Sequence, residues 1–95
     1  MAVTLCVLLW ARAGRDAELV AYEDRVLGLL PDHGGRVLHR ARTAGEDGEP
    51  LEVHVLEFPS EVALDAYMSD ERRLALAADR DDAIERTQIL RVDLV

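Results

Sequence analysis

The residues GRVLHRARTAGEDGEPLEVHVLEF, from Gly35 to Phe58, decide the fold of this chain. Apolar and polar residues alternate from Gly35 to Arg42 and again from Leu51 to Phe58, a pattern typical of β-strands. The segment between them, Thr43 to Pro50, is polar and rich in glycine, which favours a tight connection. The stretch therefore predicts two antiparallel strands joined by a hairpin loop.

A symmetric loop would fix the register of this hairpin. Three cross-strand pairs follow from it: His39 with His54, Arg36 with Glu57, and Leu38 with Val55. The opposite charges and the paired apolar residues make the register self-consistent. It would hold the Cβ atoms of the two histidines about 4.5–5.5 Å apart, close enough for the imidazoles to share a proton.

Upstream of the hairpin, the sequence predicts one strand and one helix. The apolar run VTLCVLLW, Val3 to Trp10, is typical of a buried strand and is too short to span a membrane. Residues Arg15 to Leu30 have apolar side chains at helical spacing. The predicted polar side of this helix consists of Asp16, Glu18, Glu23, Asp24 and Arg25. Pro31 and the following glycines end the helix.

Downstream, a second helical region precedes a final strand. Ser60 is expected to cap a helix that buries Leu64 and Tyr67. A further helical stretch runs from Glu71 to about Ala78, and an acidic turn follows at Asp79 to Asp82. The alternation TQILRVDLV, Thr87 to Val95, predicts the last strand.

The predicted order is strand, helix, strand, strand, helix, strand. It indicates one α+β domain over residues 1–95, ferredoxin-like, with a four-stranded antiparallel sheet and both helices on one face. Apolar residues on both sides of the strands would leave one sheet face exposed. A homodimer that packs sheet against sheet is the simplest way to cover it.

Composition limits the classes of partner. The formal charge of −8 repels nucleic-acid phosphates and anionic membrane surfaces, so we expect neither as a partner. Cys6 is the single cysteine, which excludes an intramolecular disulfide and a cysteine-based zinc site in one chain. A reducing cytoplasm suits this composition, and no metal or cofactor is expected.

Four segments carry a resemblance to a known family: Ala21–Glu23, HGGR at His33–Arg36, EFPS at Glu57–Ser60, and Ala63–Tyr67. Together they resemble an uncharacterised family, a domain of unknown function, in the dimeric α+β barrel superfamily. That family is distantly related to antibiotic-biosynthesis-type monooxygenases. The resemblance implies a homodimer with sheets packed face to face, and no assigned activity.

The monooxygenases of this superfamily use an Asn, a Trp and a His in the cleft between sheet and helices. This chain departs from that pattern, because it contains no Asn and its only tryptophan, Trp10, ends the first strand.

His39 and His54 are the candidate catalytic residues, since a neutral imidazole is a suitable general base near pH 7. Two histidines supply only half of a tetrahedral metal site, so no metal is expected. The alternative is that both are structural residues of a hairpin whose first strand lies at the sheet edge.

The candidate ligand-binding residues are Trp10, His33, Arg36 and Tyr67. Trp10 and Tyr67 could stack on an aromatic ligand between sheet and helices, or serve as core anchors. His33 could lie at the mouth of a pocket. Alternatively, it is a histidine at the C-terminal end of a helix, where the helix dipole favours that residue type.

Arg36 could join Arg40 and Arg42 in a basic stripe that binds a carboxylate or phosphate. Alternatively, it pairs with Glu57 while the other two arginines protect an edge strand.

Three functions remain open at this point. The first is a homodimer that binds a small organic molecule between sheet and helices. The second is a cofactor-independent enzyme, monooxygenase-like or lyase-like, that uses a histidine base. The third is a structural interaction module without ligand, which would have a filled interior.

Overall fold

Four strands and five short helical segments follow the predicted order in the computed structural model, which describes all 95 residues. The elements are β1 (Val3–Ala11), α1 (Asp16–Leu27), a 3₁₀ helix (Leu30–His33), β2 (Arg36–Arg42), β3 (Glu52–Phe58), α2 (Glu61–Met68), α3 (Glu71–Leu74), α4 (Ala77–Ala83) and β4 (Ile84–Arg91). The strands form one antiparallel sheet in the order β2-β3-β1-β4. This is the predicted ferredoxin-like α+β fold.

The predicted helix cap is present, because the Ser60 hydroxyl accepts a hydrogen bond from the backbone N–H of Ala63 at 3.1 Å. The predicted acidic turn is wrong, since Asp79 and Asp82 belong to α4. Their carboxylates form ion pairs with Arg25 and Arg15 of α1, which anchor this helix. Strand β4 consequently begins before Thr87 and ends before Val95.

The sheet has two unlike faces. Along β1, Val3, Leu5, Val7 and Leu9 are buried beneath the helices, while the alternate residues are only half-buried. We call these sides the inner face and the outer face. The inner face packs against Leu19, Tyr22 and Val26 of α1 and against Leu64 and Tyr67 of α2.

A β-bulge at Leu38 changes the predicted hairpin register. Arg36 lies opposite Glu57 as predicted, but the register then shifts between Val37 and His39. The predicted pairs of His39 with His54 and of Leu38 with Val55 are therefore wrong. The extra residue places His39 opposite Val55, on the outer face, because a one-residue slip moves every later side chain to the other side of the strand.

The outer face has no helix over it. The half-buried side chains of Cys6, Leu8 and Trp10 on β1 share it with Val53 and Val55 on β3. None of the helices is both long enough and apolar enough to cross a membrane.

Candidate functional site

A cavity of about 80 Å³ lies between the inner face and the helices. Its walls are mainly apolar, with side chains from β1, β3, β4, α1 and α2. Seven polar or ionisable side chains also line it: Tyr22, Glu23, His54, Tyr67, Arg73, Arg80 and Thr87. A space of this size holds several water molecules or a small organic molecule.

His54 is the buried base of the cavity, with 1% of its surface exposed. Its Nε2 lies 2.7 Å from Oε1 of Glu52. An ionised carboxylate can only accept a hydrogen bond, so Nε2 carries the proton and Nδ1 carries the lone pair. Nδ1 is buried and has no hydrogen-bond partner.

Glu52 is fully buried. The bulge in β2 places Arg40 and Arg42 on the same face as its carboxylate, which they neutralise. Arg40 donates from Nε to Oε1 at 2.8 Å, and Arg42 donates from Nη2 to Oε2 at 2.6 Å. Burial acts to raise the pKa of Glu52, but hydrogen bonds from Arg40, His54 and Arg42 outweigh burial and lower the pKa. Glu52 therefore stays ionised and fixes the tautomer of His54.

Burial lowers the pKa of His54 below its usual range, although Glu52 opposes this effect. The imidazole is consequently neutral at pH 7, as a general base requires.

Glu23 of α1 lies on the other side of His54. Its Oε1 is 3.6 Å from Nδ1, which is beyond hydrogen-bond distance. Burial raises the pKa of Glu23 to about 7, the negative charge of Glu52 adds to this effect, and Arg73 leads the cations that oppose it. At pH 7 the Glu23 carboxyl is therefore protonated in about half of the molecules, beside the neutral imidazole of His54.

The two tyrosines stay protonated. Burial raises the pKa of Tyr67 to about 12, and its hydroxyl donates a hydrogen bond to the Val26 carbonyl at 3.2 Å. Burial likewise raises the pKa of Tyr22. These residues shape the cavity and do not accept protons in the neutral range.

Two arginines complete the polar lining. The Arg73 guanidinium lies 5.3 Å from the centre of the Tyr67 ring, and its buried Nε has no hydrogen-bond partner. Arg80 donates from Nη2 to the Thr87 hydroxyl at 3.2 Å. Neither guanidinium forms an ion pair with a carboxylate of the chain.

Of the predicted site residues, only His54 and Tyr67 reach the cavity. His39 is exposed on the outer face, opposite Val55. His33 lies outside the cavity lining, where its Nε2 is 2.8 Å from Oδ2 of Asp70 and its ring meets Tyr67 edge-on.

Trp10 and Arg36 also lie away from the cavity, on the outer face. The Trp10 indole donates to the Gly48 carbonyl at 2.8 Å, and the Arg86 guanidinium lies 4.4 Å from its ring centre. The predicted association of Trp10 with Tyr67 is therefore wrong. Arg36 pairs with Glu57, so the predicted basic stripe is divided by the bulge, which turns Arg40 and Arg42 to the inner face.

Glu23 and Glu52 were not among the predicted site residues. Glu23 was assigned to the polar side of its helix, yet it is buried among Leu19, Tyr22 and Val26. It follows Leu19 by four residues, a helical spacing that signals a carboxylate within an apolar stripe. Glu52 precedes His54 by two residues on a strand, a spacing that places both on one face.

No group of three or more His, Cys, Asp or Glu side chains has an arrangement that could hold a metal ion. The polar cluster of this cavity is an arrangement of proton donors and acceptors among guanidinium groups.

Comparison with known proteins gives matches by structure only. No family model matches the chain, and no curated protein sequence matches it. A protein of unknown function from Rhodopseudomonas palustris superposes with a TM-score of 0.81 at 18% identity, covering 99% of this chain and 82% of that one.

Two further solved structures have the same fold. A dimeric protein of unknown function from Bacteroides fragilis, described as ferredoxin-like, has a TM-score of 0.70 at 14% identity and covers 98% of this chain and 96% of its own. SnoaB, a cofactor-independent oxygenase from Streptomyces nogalater, has a TM-score of 0.71 at 13% identity and covers 99% and 95%. At these identities the likeness shows the fold alone.

Proposed function

We propose that this protein is a cofactor-independent enzyme that binds a small organic molecule in the cavity and transfers a proton at a carbon next to a carbonyl group. One observation carries the proposal. The Nδ1 atom of His54 is buried, has no hydrogen-bond partner and belongs to a residue that lines the cavity. An unsatisfied buried acceptor is costly, and such atoms are concentrated where a ligand supplies the missing partner.

His54 acts as the general base in this proposal. Nδ1 takes the proton from the carbon, and the C–H electron pair forms the carbon–carbon double bond of an enol. Glu52 holds the ring in the required tautomer through Nε2 and stabilises the imidazolium that forms, as the carboxylate of a catalytic triad does.

Glu23 acts as the general acid. Its protonated carboxyl gives its proton to the carbonyl oxygen while His54 removes the proton from carbon, so that the neutral enol forms without a free enolate. A raised pKa of about 7 suits a group that must donate near neutral pH. Its 3.6 Å separation from Nδ1 suits two positions that belong to one small substrate.

The cavity favours an enzyme or a binding protein over an interaction module with a filled interior. The structurally similar SnoaB is a cofactor-independent oxygenase, which supports chemistry without a cofactor on this fold. The present chain lacks the asparagine of the monooxygenase pattern, so we propose proton transfer and not oxygenation as its reaction.

The test is hydrogen exchange on carbon, followed by NMR. The protein is incubated in D₂O with pyruvate and with its neutral amide, pyruvamide, and the loss of the methyl proton signal is measured. We expect catalysed exchange that falls by about 10²–10⁴-fold in His54→Gln, the usual contribution of a general base.

His39→Gln is the matched control, because it removes an exposed histidine of the outer face and should leave exchange unchanged. Equal rates in the wild type and His54→Gln would reject the enzymatic proposal. Binding of either probe without any exchange would leave a ligand-binding protein as the function.

We also propose that the protein is a homodimer that buries the outer face. This face carries half-buried Leu8, Trp10 and Val55 and no covering helix, and the Bacteroides fragilis neighbour is described as dimeric. Light scattering at micromolar concentration should give twice the chain mass of 10.6 kDa, and a monomer mass would reject the proposal.

A further inference from the structure

Most arginines of this acidic chain are neutralised by its own carboxylates. Seven form ion pairs: Arg15, Arg25, Arg36, Arg40, Arg42, Arg72 and Arg91. With 19 acidic residues against 11 basic ones, carboxylate partners are plentiful. An arginine without one is therefore an exception that calls for a physical reason.

Arg73 and Arg80 are such exceptions, and both line the cavity. Arg73 donates to the Met68 carbonyl at 3.4 Å and lies against the Tyr67 ring, but its Nε is buried without a partner. Arg80 makes a side-chain hydrogen bond to the Thr87 hydroxyl and to no carboxylate. A guanidinium has five N–H donors, so both side chains keep donors free for a ligand.

The surrounding charges do not neutralise these two groups. The charge of Glu52 is engaged by Arg40 and Arg42, and Glu23 is only about half ionised at pH 7 because burial raises its pKa to about 7. Arg73 and Arg80 both oppose that rise, which indicates that they act on the same space as Glu23. The two guanidinium charges therefore exceed the negative charge of the side chains that line the cavity.

We propose that Arg73 and Arg80 bind the carboxylate of the substrate, so that the cavity takes small oxo acids whose carbonyl-adjacent carbon faces His54. This inference rests on the proposed function and specifies its substrate class. Guanidinium groups hold carboxylates through charge-assisted hydrogen bonds, which orient a planar ligand as well as attract it. The carboxylate would supply the partner that the Arg73 Nε lacks.

Arginine also binds phosphate, but the cavity favours a carboxylate. Its walls are mainly apolar. A carboxylate brings a single charge to it, and the rest of a small oxo acid fits the apolar walls. Inorganic phosphate is the probe that separates the two chemistries.

The experiment measures binding by NMR titration of the full chain. The probes are 2-oxo acids of three to six carbons, the matching neutral amides, and inorganic phosphate. We expect the acids to bind at least about 10-fold more tightly than their amides. Arg73→Gln and Arg80→Gln should each lower the affinity for the acids on the order of 10-fold. The affinity for the amides should stay unchanged.

Arg12→Gln is the matched control. Arg12 also lacks a carboxylate partner, but it lies on the surface and does not line the cavity, so its loss should not change affinity. Arg73→Lys and Arg80→Lys retain the charge and should recover part of the affinity, which separates a lost contact from misfolding.

Four results would overturn the inference: no binding of any oxo acid, equal affinity for acid and amide, unchanged affinity in both glutamine variants, or tighter binding of phosphate. His54→Gln separates this inference from the proposed function. Oxo acids that bind through the two arginines but undergo no hydrogen exchange on carbon would reject the catalytic proposal alone. Hydrogen exchange that requires His54 but is equally fast for an oxo acid and its amide would reject only the inference that the two arginines bind a carboxylate.

Discussion

The Nε2 atom of His54 lies 2.7 Å from Oε1 of Glu52, and both side chains are almost completely shielded from solvent. The two residues are neighbours on one face of β3, and Arg40 and Arg42 face them from β2. Only the bulge at Leu38 makes this possible, because the unbulged register would put both arginines on the outer face with Arg36. One extra residue in an edge strand therefore places the two arginines that bind Glu52.

Replacing Glu52 should destabilise the fold. In Glu52→Gln, Arg40 and Arg42 lose the buried charge that they share, and one amide oxygen replaces the two carboxylate oxygens that accept from these arginines and from His54. We expect a cost on the order of 2–3 kcal/mol, below that of fully buried pairs because Arg42 is half-exposed and can turn to water. Urea unfolding at pH 7 measures it.

Glu57→Gln is the matched control on the same strand. It breaks the more exposed pair with Arg36 on the outer face and should cost less than about 1 kcal/mol. Equal losses in the two variants would contradict the role of Glu52 as a buried anchor.

The pKa of Glu23 predicts how stability varies with pH. Because folding raises this pKa from 4.5 to about 7, the folded state binds the proton more tightly. The resulting stabilisation is present below pH 4.5 and is lost as pH rises to about 7, at a cost on the order of 3 kcal/mol.

Glu23→Gln has no such proton. Its free energy of unfolding relative to the wild type should therefore increase between pH 5 and pH 8, as urea unfolding at each pH can determine. A difference that stays constant with pH would show that folding does not shift the pKa of Glu23.

The same groups predict the pH profile of the proposed exchange. The reaction needs neutral His54, whose pKa is lowered by burial, and protonated Glu23, whose pKa is about 7. The rate should therefore fall above pH 7 as Glu23 ionises, and fall on the acid side as His54 takes up a proton. In the Glu23→Gln variant the exchange rate should no longer decrease above pH 7. If the decrease persists, it is caused by the ionisation of another group.

Local sequence signals predicted the elements and their order, but not the arrangement of the site. Period changes, the Ser60 cap and the glycine-rich hairpin loop are read within a few residues, and these predictions are confirmed. The bulge at Leu38 was not predicted, although two consecutive apolar residues, Val37 and Leu38, interrupt the alternation at that point. The symmetric register consequently gave Arg36 its correct partner and His39 a wrong one.

Burial of Glu23 is a tertiary effect of a different kind. A glutamate beside Asp24 and Arg25 resembles part of a solvated helix face, and only the packing of α1 on the sheet decides that it turns inward. His54 and Tyr67 were identified because histidines and aromatics are few in this chain, whereas arginines are common and Arg73 and Arg80 attracted no notice.

A charge on the outer face should disrupt the proposed dimer. Val55 is half-buried at the middle of that face, opposite His39 and beside Cys6 of β1. In Val55→Asp, two unpaired carboxylates would be buried between the sheets, at a cost of several kcal/mol, so the protein should become monomeric in light scattering.

Val62→Asp is its control, because Val62 is 77% exposed on α2 and lies away from the sheet. It introduces the same charge and should leave the mass unchanged. Circular dichroism distinguishes a folded Val55→Asp monomer from an unfolded chain. If Val55→Asp keeps the mass of the wild-type dimer, the outer face is not the interface and another surface must hold the subunits together.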